Sequence, residues 1–90
     1  MSETQATAVK MYGAMWCGDT RRARAWLDSH QIAYTWIDVE KDKEAEAYVK
    51  SVNRGNRSIP TIVFPDGSIL TEPSTARLEA HIKELGLLPA

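Results

Sequence analysis

The 90-residue chain has a single cysteine, Cys17, and no long hydrophobic run. One cysteine can form no internal disulfide and cannot build a zinc site by itself. No segment approaches the ~20 consecutive apolar residues that a membrane-spanning helix needs. These absences exclude a disulfide-rich miniature, a small zinc-stapled fold and a helical membrane protein.

The chain also lacks an excess of either charge, since 11 Lys and Arg residues stand against 12 Asp and Glu residues, a formal net charge of -1. Such a balance gives no global electrostatic signature of nucleic-acid binding. The apolar share of 43% and the charged share of 26% are those of an ordinary soluble chain. We therefore expect one domain over residues 1–90 with residues 1–6 disordered, and neither nucleic acid nor membrane as a partner.

The first seven residues read MSETQAT and carry neither a positively charged nor an apolar segment. A secretory signal peptide would show both. We expect a cytoplasmic protein, because free thiols stay reduced in the cytoplasm. We also expect it to be a monomer.

The hydrophobic pattern predicts seven elements in the order β-α-β-α-β-β-α. The predicted strands are Ala8–Tyr12, Ile32–Val39, Ile59–Phe64 and Ser68–Thr71. Three amphipathic helices are predicted: one begins after the turn that ends at Gly18, the second has Asp42 in its first turn, and the third starts at Pro73-Ser74. A helical crossover implies a parallel strand pair, and the Asp66-Gly67 turn implies an antiparallel pair. The fold class is therefore α/β, with a mixed four-stranded sheet and helices on both faces.

Cys17 lies where the first predicted helix begins, with Arg21 and Arg22 within one turn. Unpaired backbone N–H groups, the helix dipole and nearby cations all stabilise a thiolate at such a position. A lone cysteine can instead be a small buried apolar residue. The neighbouring Gly18 and Asp19 indicate a turn, however, and favour the reactive nucleophile.

Three motifs in their order and spacing carry a family resemblance: Trp16-Cys17-Gly18-Asp19-Thr20 after a strand, Ser58-Ile59-Pro60 opening a later strand, and Asp66-Gly67. Together they resemble the glutaredoxin branch of the thioredoxin fold. The runs 51–61 and 70–74 are especially similar to mycoredoxins, and the resemblance covers roughly residues 8–88. It implies a thiol–disulfide oxidoreductase.

The resemblance also implies that Pro60 is cis and that Ile59 faces Cys17. In this family the backbone of the residue before the proline pairs with the bound thiol or peptide like an added strand. Taken alone, Pro60 would equally suit the start of an edge strand.

The sequence departs from the glutaredoxin pattern at three places. Thr20 replaces the usual resolving cysteine, which leaves a monothiol route through Cys17. The Thr20 hydroxyl could donate to the thiolate, or the side chain could simply pack inward. Ala14 replaces a common lysine, and residues 71–75 replace the Gly-Gly and Asp that hold the γ-glutamyl end of glutathione. These changes favour mycothiol or a similar thiol over glutathione.

The remaining site predictions fall into two groups, each with a simpler alternative. Residues expected to support the thiolate are Gly18, Asp19, Thr20 and Arg22, and those expected to bind the thiol or substrate are Trp16, Arg57, Ser58, Ile59, Pro60 and Ser74. Arg57 could instead be a solvated charge, Trp16 could fold back on the helix, and Ser74 could serve only as a helix N-cap.

The leading interpretation is an enzyme that reduces mixed disulfides between S-thiolated protein clients and a low-molecular-weight thiol, which a separate reductase regenerates. No tightly bound cofactor is expected, and the thiol acts as cosubstrate. One alternative is an iron–sulfur carrier that shares a [2Fe–2S] cluster between two copies, although such proteins carry Phe-Ser where this chain has Asp19-Thr20. A second alternative is a non-catalytic interaction module. His30 and His81 are expected at the surface, without a metal site.

Overall fold

The computed structural model describes residues 9–89, which form four strands and three helices. The strands are β1 (Val9–Gly13), β2 (Tyr34–Asp38), β3 (Thr61–Val63) and β4 (Ile69–Thr71), and the helices are α1 (Gly18–Ser29), α2 (Lys43–Val52) and α3 (Thr75–Glu84). The predicted element order is confirmed. The predicted disorder of residues 1–6 and the predicted strand start at Ala8 lie outside the described residues.

The four strands form one mixed sheet in the order β2-β1-β3-β4. β1 pairs in parallel with β2, and it pairs antiparallel with β3, which in turn pairs antiparallel with β4. The carboxyl end of β1 therefore lies in the middle of the sheet, with a neighbour on each side. α1 begins a few residues beyond that end.

The helices bury apolar side chains against both faces of this sheet, as predicted. On one face, α1 and α3 contribute Ala23, Leu27, Leu78 and Ile82 to one apolar cluster. On the other face, α2 contributes Ala45 and Val49 to a second cluster that Cys17 also contacts. The Cys17 side chain therefore packs against the apolar cluster on the α2 face of the sheet. None of the three described helices has the length and apolarity that spanning a membrane requires.

Three strands are shorter than predicted: β4 by one residue, and β2 and β3 for reasons that lie in their backbone hydrogen bonds. Strand pairing in β3 begins at Thr61 because Pro60 has no N–H to contribute to the ladder. β2 begins at Tyr34 because the N–H of Ile32 bonds to the carbonyl of Leu27 at 3.0 Å and closes α1. The two residues lost from the start of β3, Ile59 and Pro60, belong to the loop that faces Cys17.

Candidate active site at the start of α1

Cys17 is the N-cap residue of α1, and its backbone is held on both sides. Its N–H bonds to the carbonyl of Ala14 at 3.0 Å, and its carbonyl accepts the N–H of Arg21 at 3.1 Å. The half-buried side chain makes no capping hydrogen bond. The sulfur therefore lies at the positive end of the helix dipole without being used to cap the helix.

The sulfur faces the backbone of Ile59, 42 residues further along the chain. The distance from Cys17 Sγ to the Ile59 carbonyl oxygen is 3.9 Å, and the Ile59–Pro60 bond is cis. The Thr61 hydroxyl donates to the carbonyl of Ser58 at 2.7 Å, which ties the half-buried Ser58 into the same loop. The sequence resemblance implied this arrangement of Cys17, Ile59 and Pro60.

Thr20 packs inward against the end of β1. Its side chain is fully buried, and its hydroxyl has no hydrogen-bond partner among the described residues. A Cβ placed on the neighbouring Gly13 would lie 2.7 Å from both Cγ2 and Oγ1 of Thr20. Of the two roles that the sequence left open, the structure thus shows inward packing without a hydrogen bond to Cys17.

The charged residues on the first turn of α1 pair with one another and with backbone. Arg22 donates to the Asp19 carboxylate at 2.6 Å, and both side chains are exposed. Arg21 donates to the carbonyl of Met15 at 2.7 Å and so closes the exposed turn before Cys17. Gly18 is exposed as well. Arg22 and Asp19 therefore compensate each other's charge beside the thiol.

An ion-pair network joins the loop around Ile59 to the turn before Cys17. Arg57 donates from Nε to Glu46 at 2.6 Å and from Nη2 to Glu40. The Arg57 guanidinium, followed by the Trp16 side chain, lowers the pKa of Glu40, and the two carboxylates raise the pKa of Arg57, Glu40 more than Glu46. Trp16 itself remains 64% exposed. Its indole lies near enough to Glu40 to act on the pKa of that carboxyl.

Sequence reasoning missed Glu40 and Glu46, the two carboxylates of this network. They stand 17 and 11 residues before Arg57. In the sequence they are visible only as acidic residues in or just before the first turn of α2. The helix dipole alone accounts for acidic residues there, so the sequence gives no reason to assign them to a functional site. The prediction that Arg57 binds the thiol or substrate thus did not anticipate its two intramolecular partners.

The network predicts an acid titration for Glu40 below the ordinary pKa of 4.5. Because Arg57 stabilises the folded carboxylate, this contribution to stability is present above the unfolded-state pKa and is lost as pH falls through the lower folded-state pKa. NMR titration of the side-chain carboxyl carbon measures the midpoint. Arg57→Gln should move it back toward the ordinary value, and a wild-type midpoint at or above that value would contradict the network.

Ser74 lies at the far side of the Pro60 loop, at the start of α3. Its hydroxyl accepts the N–H of Arg77 at 3.1 Å, which is the predicted N-cap bond. Glu72, two residues before Ser74, has a left-handed φ of 49° and donates its N–H to the carbonyl of Pro60 at 2.8 Å. A groove of about 320 Å³ runs along β4 past Glu72 and Ser74.

No three His, Cys, Asp or Glu side chains gather as a metal-ligand group within residues 9–89. His30 is exposed, as predicted, and stacks on Trp26 with ring centroids 3.9 Å apart. His81 is less exposed than predicted, because its side chain is only 19% exposed. Its ring lies edge-on to Phe64 and within 2.7 Å of the Ser68 hydroxyl, because α3 packs this side chain onto the sheet.

The chain is similar to known proteins in sequence and in fold. The glutaredoxin family model matches residues 9–69. This chain belongs to the glutaredoxin family. Glutaredoxins are thiol–disulfide oxidoreductases that use a low-molecular-weight thiol as cosubstrate, and S-thiolated proteins are the substrate class that the family suggests.

Relatives of this glutaredoxin span nearly the whole chain. A candidate glutaredoxin of Mycobacterium tuberculosis is 40% identical over 78 residues, which cover 87% of this chain and 93% of that protein. Mycoredoxin 1 of Corynebacterium glutamicum is 42% identical over 77 residues, 86% of this chain and 95% of that protein. The predicted resemblance to mycoredoxins is thereby confirmed.

Solved structures support the fold of this glutaredoxin. A thioredoxin-like protein superposes with a TM-score of 0.70 at 24% identity, over 80% of this chain and 96% of that one. A glutaredoxin from Methanosarcina mazei superposes with a TM-score of 0.65 at 23% identity, over 90% and 80% of the two chains. The predicted thioredoxin fold is confirmed.

Proposed function

We propose that this glutaredoxin is a cytoplasmic monothiol enzyme that reduces mixed disulfides between proteins and a mycothiol-like small thiol. The observation that carries the proposal is the 3.9 Å approach of the lone thiol to the Ile59 carbonyl beside cis-Pro60. An extended S-thiolated segment can pair with the Ile59 backbone while its disulfide lies against Cys17.

The reaction has two thiol–disulfide exchanges. The Cys17 thiolate attacks the small-thiol sulfur of the mixed disulfide, the bond to the protein breaks, and the protein cysteine leaves as a thiolate that takes a proton. A second small thiol then attacks that same sulfur of the Cys17 adduct. This step releases the oxidised small-thiol dimer and restores Cys17, and a separate reductase regenerates the thiol.

The other site residues have supporting roles in this proposal. Gly18 and Asp19 supply the open first turn of α1, on which Arg22 compensates Asp19, while Thr20 anchors that turn to β1. Trp16 offers an exposed aromatic surface beside the thiol for the substrate. Ser58 fixes the Ile59 loop, and Ser74 fixes the start of α3 across that loop.

The choice of thiol rests on Ala14 and Glu72. Ala14 is fully buried and brings no cation to the site, where many glutaredoxins have a lysine. Glu72 is exposed, and its N–H bond to Pro60 keeps it beside the loop, so its carboxylate repels a carboxylate of the bound thiol. Both features disfavour glutathione.

The mechanism predicts that a mixed disulfide with a small thiol is reduced at least about 100 times faster than an internal protein disulfide, because no second cysteine can resolve the protein adduct. Single-turnover rates on matched peptides measure the ratio. The Thr20→Cys variant is the control, and it should gain activity on the internal disulfide. Equal wild-type rates would refute the monothiol route, and faster turnover of glutathione than of mycothiol adducts would refute the thiol assignment.

A further inference from the structure

Arg57 is the cation that the sequence places beside the thiol-binding loop, and its two ion pairs change what that cation can do. The side chains of Arg57, Glu40 and Glu46 are 28%, 45% and 32% exposed, so all three border solvent near the site. The formal charges of one guanidinium and two carboxylates sum to one negative charge. A ligand that approaches these three residues therefore meets an arginine whose charge is neutralised by two carboxylates, in a cluster that is negative overall.

The cluster is linked to the two chain segments that flank the reacting sulfur. Arg57 is two residues before Ile59, whose carbonyl lies 3.9 Å from Cys17 Sγ. Glu40 interacts with the side chain of Trp16, the residue immediately before Cys17. Two residues span at most about 7 Å of chain, which keeps the backbone of Arg57 close to the loop that faces Cys17. At low ionic strength, where the screening length reaches about 30 Å, the charges of the cluster act on a small thiol bound on Cys17.

We propose that Glu40 and Glu46 are specificity-determining residues. By holding Arg57 in two ion pairs, they make the site favour small thiols that place no carboxylate near the cluster of Arg57, Glu40 and Glu46. The inference rests on the proposed thiol-transfer function and assigns its charge selectivity to two named side chains. The pairing of Arg22 with Asp19 at 2.6 Å acts in the same direction, since it compensates a second arginine of the site.

The test uses three mixed disulfides of one uncharged cysteine peptide, formed with 2-mercaptoethanol (neutral), 3-mercaptopropionate (anionic) or cysteamine (cationic). Cys17 attacks the small-thiol sulfur and releases the peptide thiol, so a single turnover with excess protein needs no reductase. The readout is the rate for the anionic adduct divided by the rate for the neutral adduct. This ratio cancels general losses of stability or reactivity that a structural role would cause.

Glu40→Gln/Glu46→Gln should raise the anionic-to-neutral ratio about fivefold or more at low salt, because the cluster changes from one net negative to one net positive charge. It should lower the cationic-to-neutral ratio in parallel, and 1 M salt should suppress both changes. The control Glu79→Gln/Glu84→Gln removes the same charge from exposed positions on α3 and should change the ratio less than twofold. Single Glu40→Gln, at an exposed turn, serves if the double variant does not fold and should give about half the logarithmic effect.

An unchanged ratio in both Glu40 variants, or an equal change in the α3 control, would overturn the assignment while leaving thiol transfer intact. Absence of peptide release from all three adducts in the wild-type protein would overturn the proposed function and this inference together. A raised ratio confined to the Glu40 and Glu46 variants supports the assignment.

Discussion

Replacing Cys17 by serine is expected to reduce thiol transfer to the uncatalysed background rate while leaving the fold intact. Cys17 is the only cysteine of the chain, so no other side chain can attack a disulfide. The side chain is half-buried and makes no cap bond, whereas serine is a preferred N-cap residue. Stability should therefore stay the same or rise by up to about 1 kcal/mol. Peptide release and urea unfolding measure the two effects.

Cys17→Ala provides the matched control for this substitution. It should lose the same activity but, lacking a capping oxygen, should be less stable than Cys17→Ser. Transfer by the serine variant above the background rate would show that Cys17 is not the nucleophile. A loss of folding in both variants would contradict the placement of the thiol at an open helix start.

Gly13→Ala is expected to destabilise the protein by about 2–3 kcal/mol, roughly 10–20 °C in Tm. The new methyl group would lie 2.7 Å from two side-chain atoms of Thr20, and both residues are buried between β1 and α1. Neither the strand nor the first helical turn can move freely. The Gly13 carbonyl accepts the N–H of Val39, and the Cys17 carbonyl accepts the N–H of Arg21. Thermal unfolding measures the loss.

The partner in this clash gives the control. Thr20→Ala alone should have a small effect, because it removes a methyl group together with a buried hydroxyl that has no partner among the described residues. In the Gly13→Ala/Thr20→Ala double variant most of the stability should return, with a coupling of about 1–3 kcal/mol. Additive losses in the double variant would mean that Gly13 is required for some reason other than contact with Thr20.

The features that sequence predicts well here are those set by neighbours in the chain. Cys17 can be placed at the start of α1 because an amphipathic pattern begins directly after it. The turn at Gly67, whose φ is 90°, follows from the Asp-Gly pair and fixes the antiparallel partners β3 and β4. That Ile59 faces Cys17, by contrast, could be predicted only from the resemblance to a family, because no local sequence pattern links residues so far apart.

The features that sequence did not predict are choices of partner across the fold. Arg57 stood in a loop rich in polar residues, and nothing local distinguished a free guanidinium from one bound by two carboxylates. Glu46 looked like an ordinary residue of an acidic first turn. His81 had helical spacing compatible with solvent, yet the packing of α3 brought it against Phe64. Pairings of this kind depend on which surfaces the topology brings together.

The 42-residue separation between Cys17 and Ile59 has a consequence for the newly made chain. Synthesis proceeds from the amino end at about 5–20 residues per second, so the thiol is translated roughly 2–8 s before the backbone that will face it. During that interval no β3 exists to pair with β1, and the Ile59 carbonyl is not yet present to face Cys17. Selective exchange thus begins only when the second half of the sheet has been added, after the entropy of closing this long loop has been overcome.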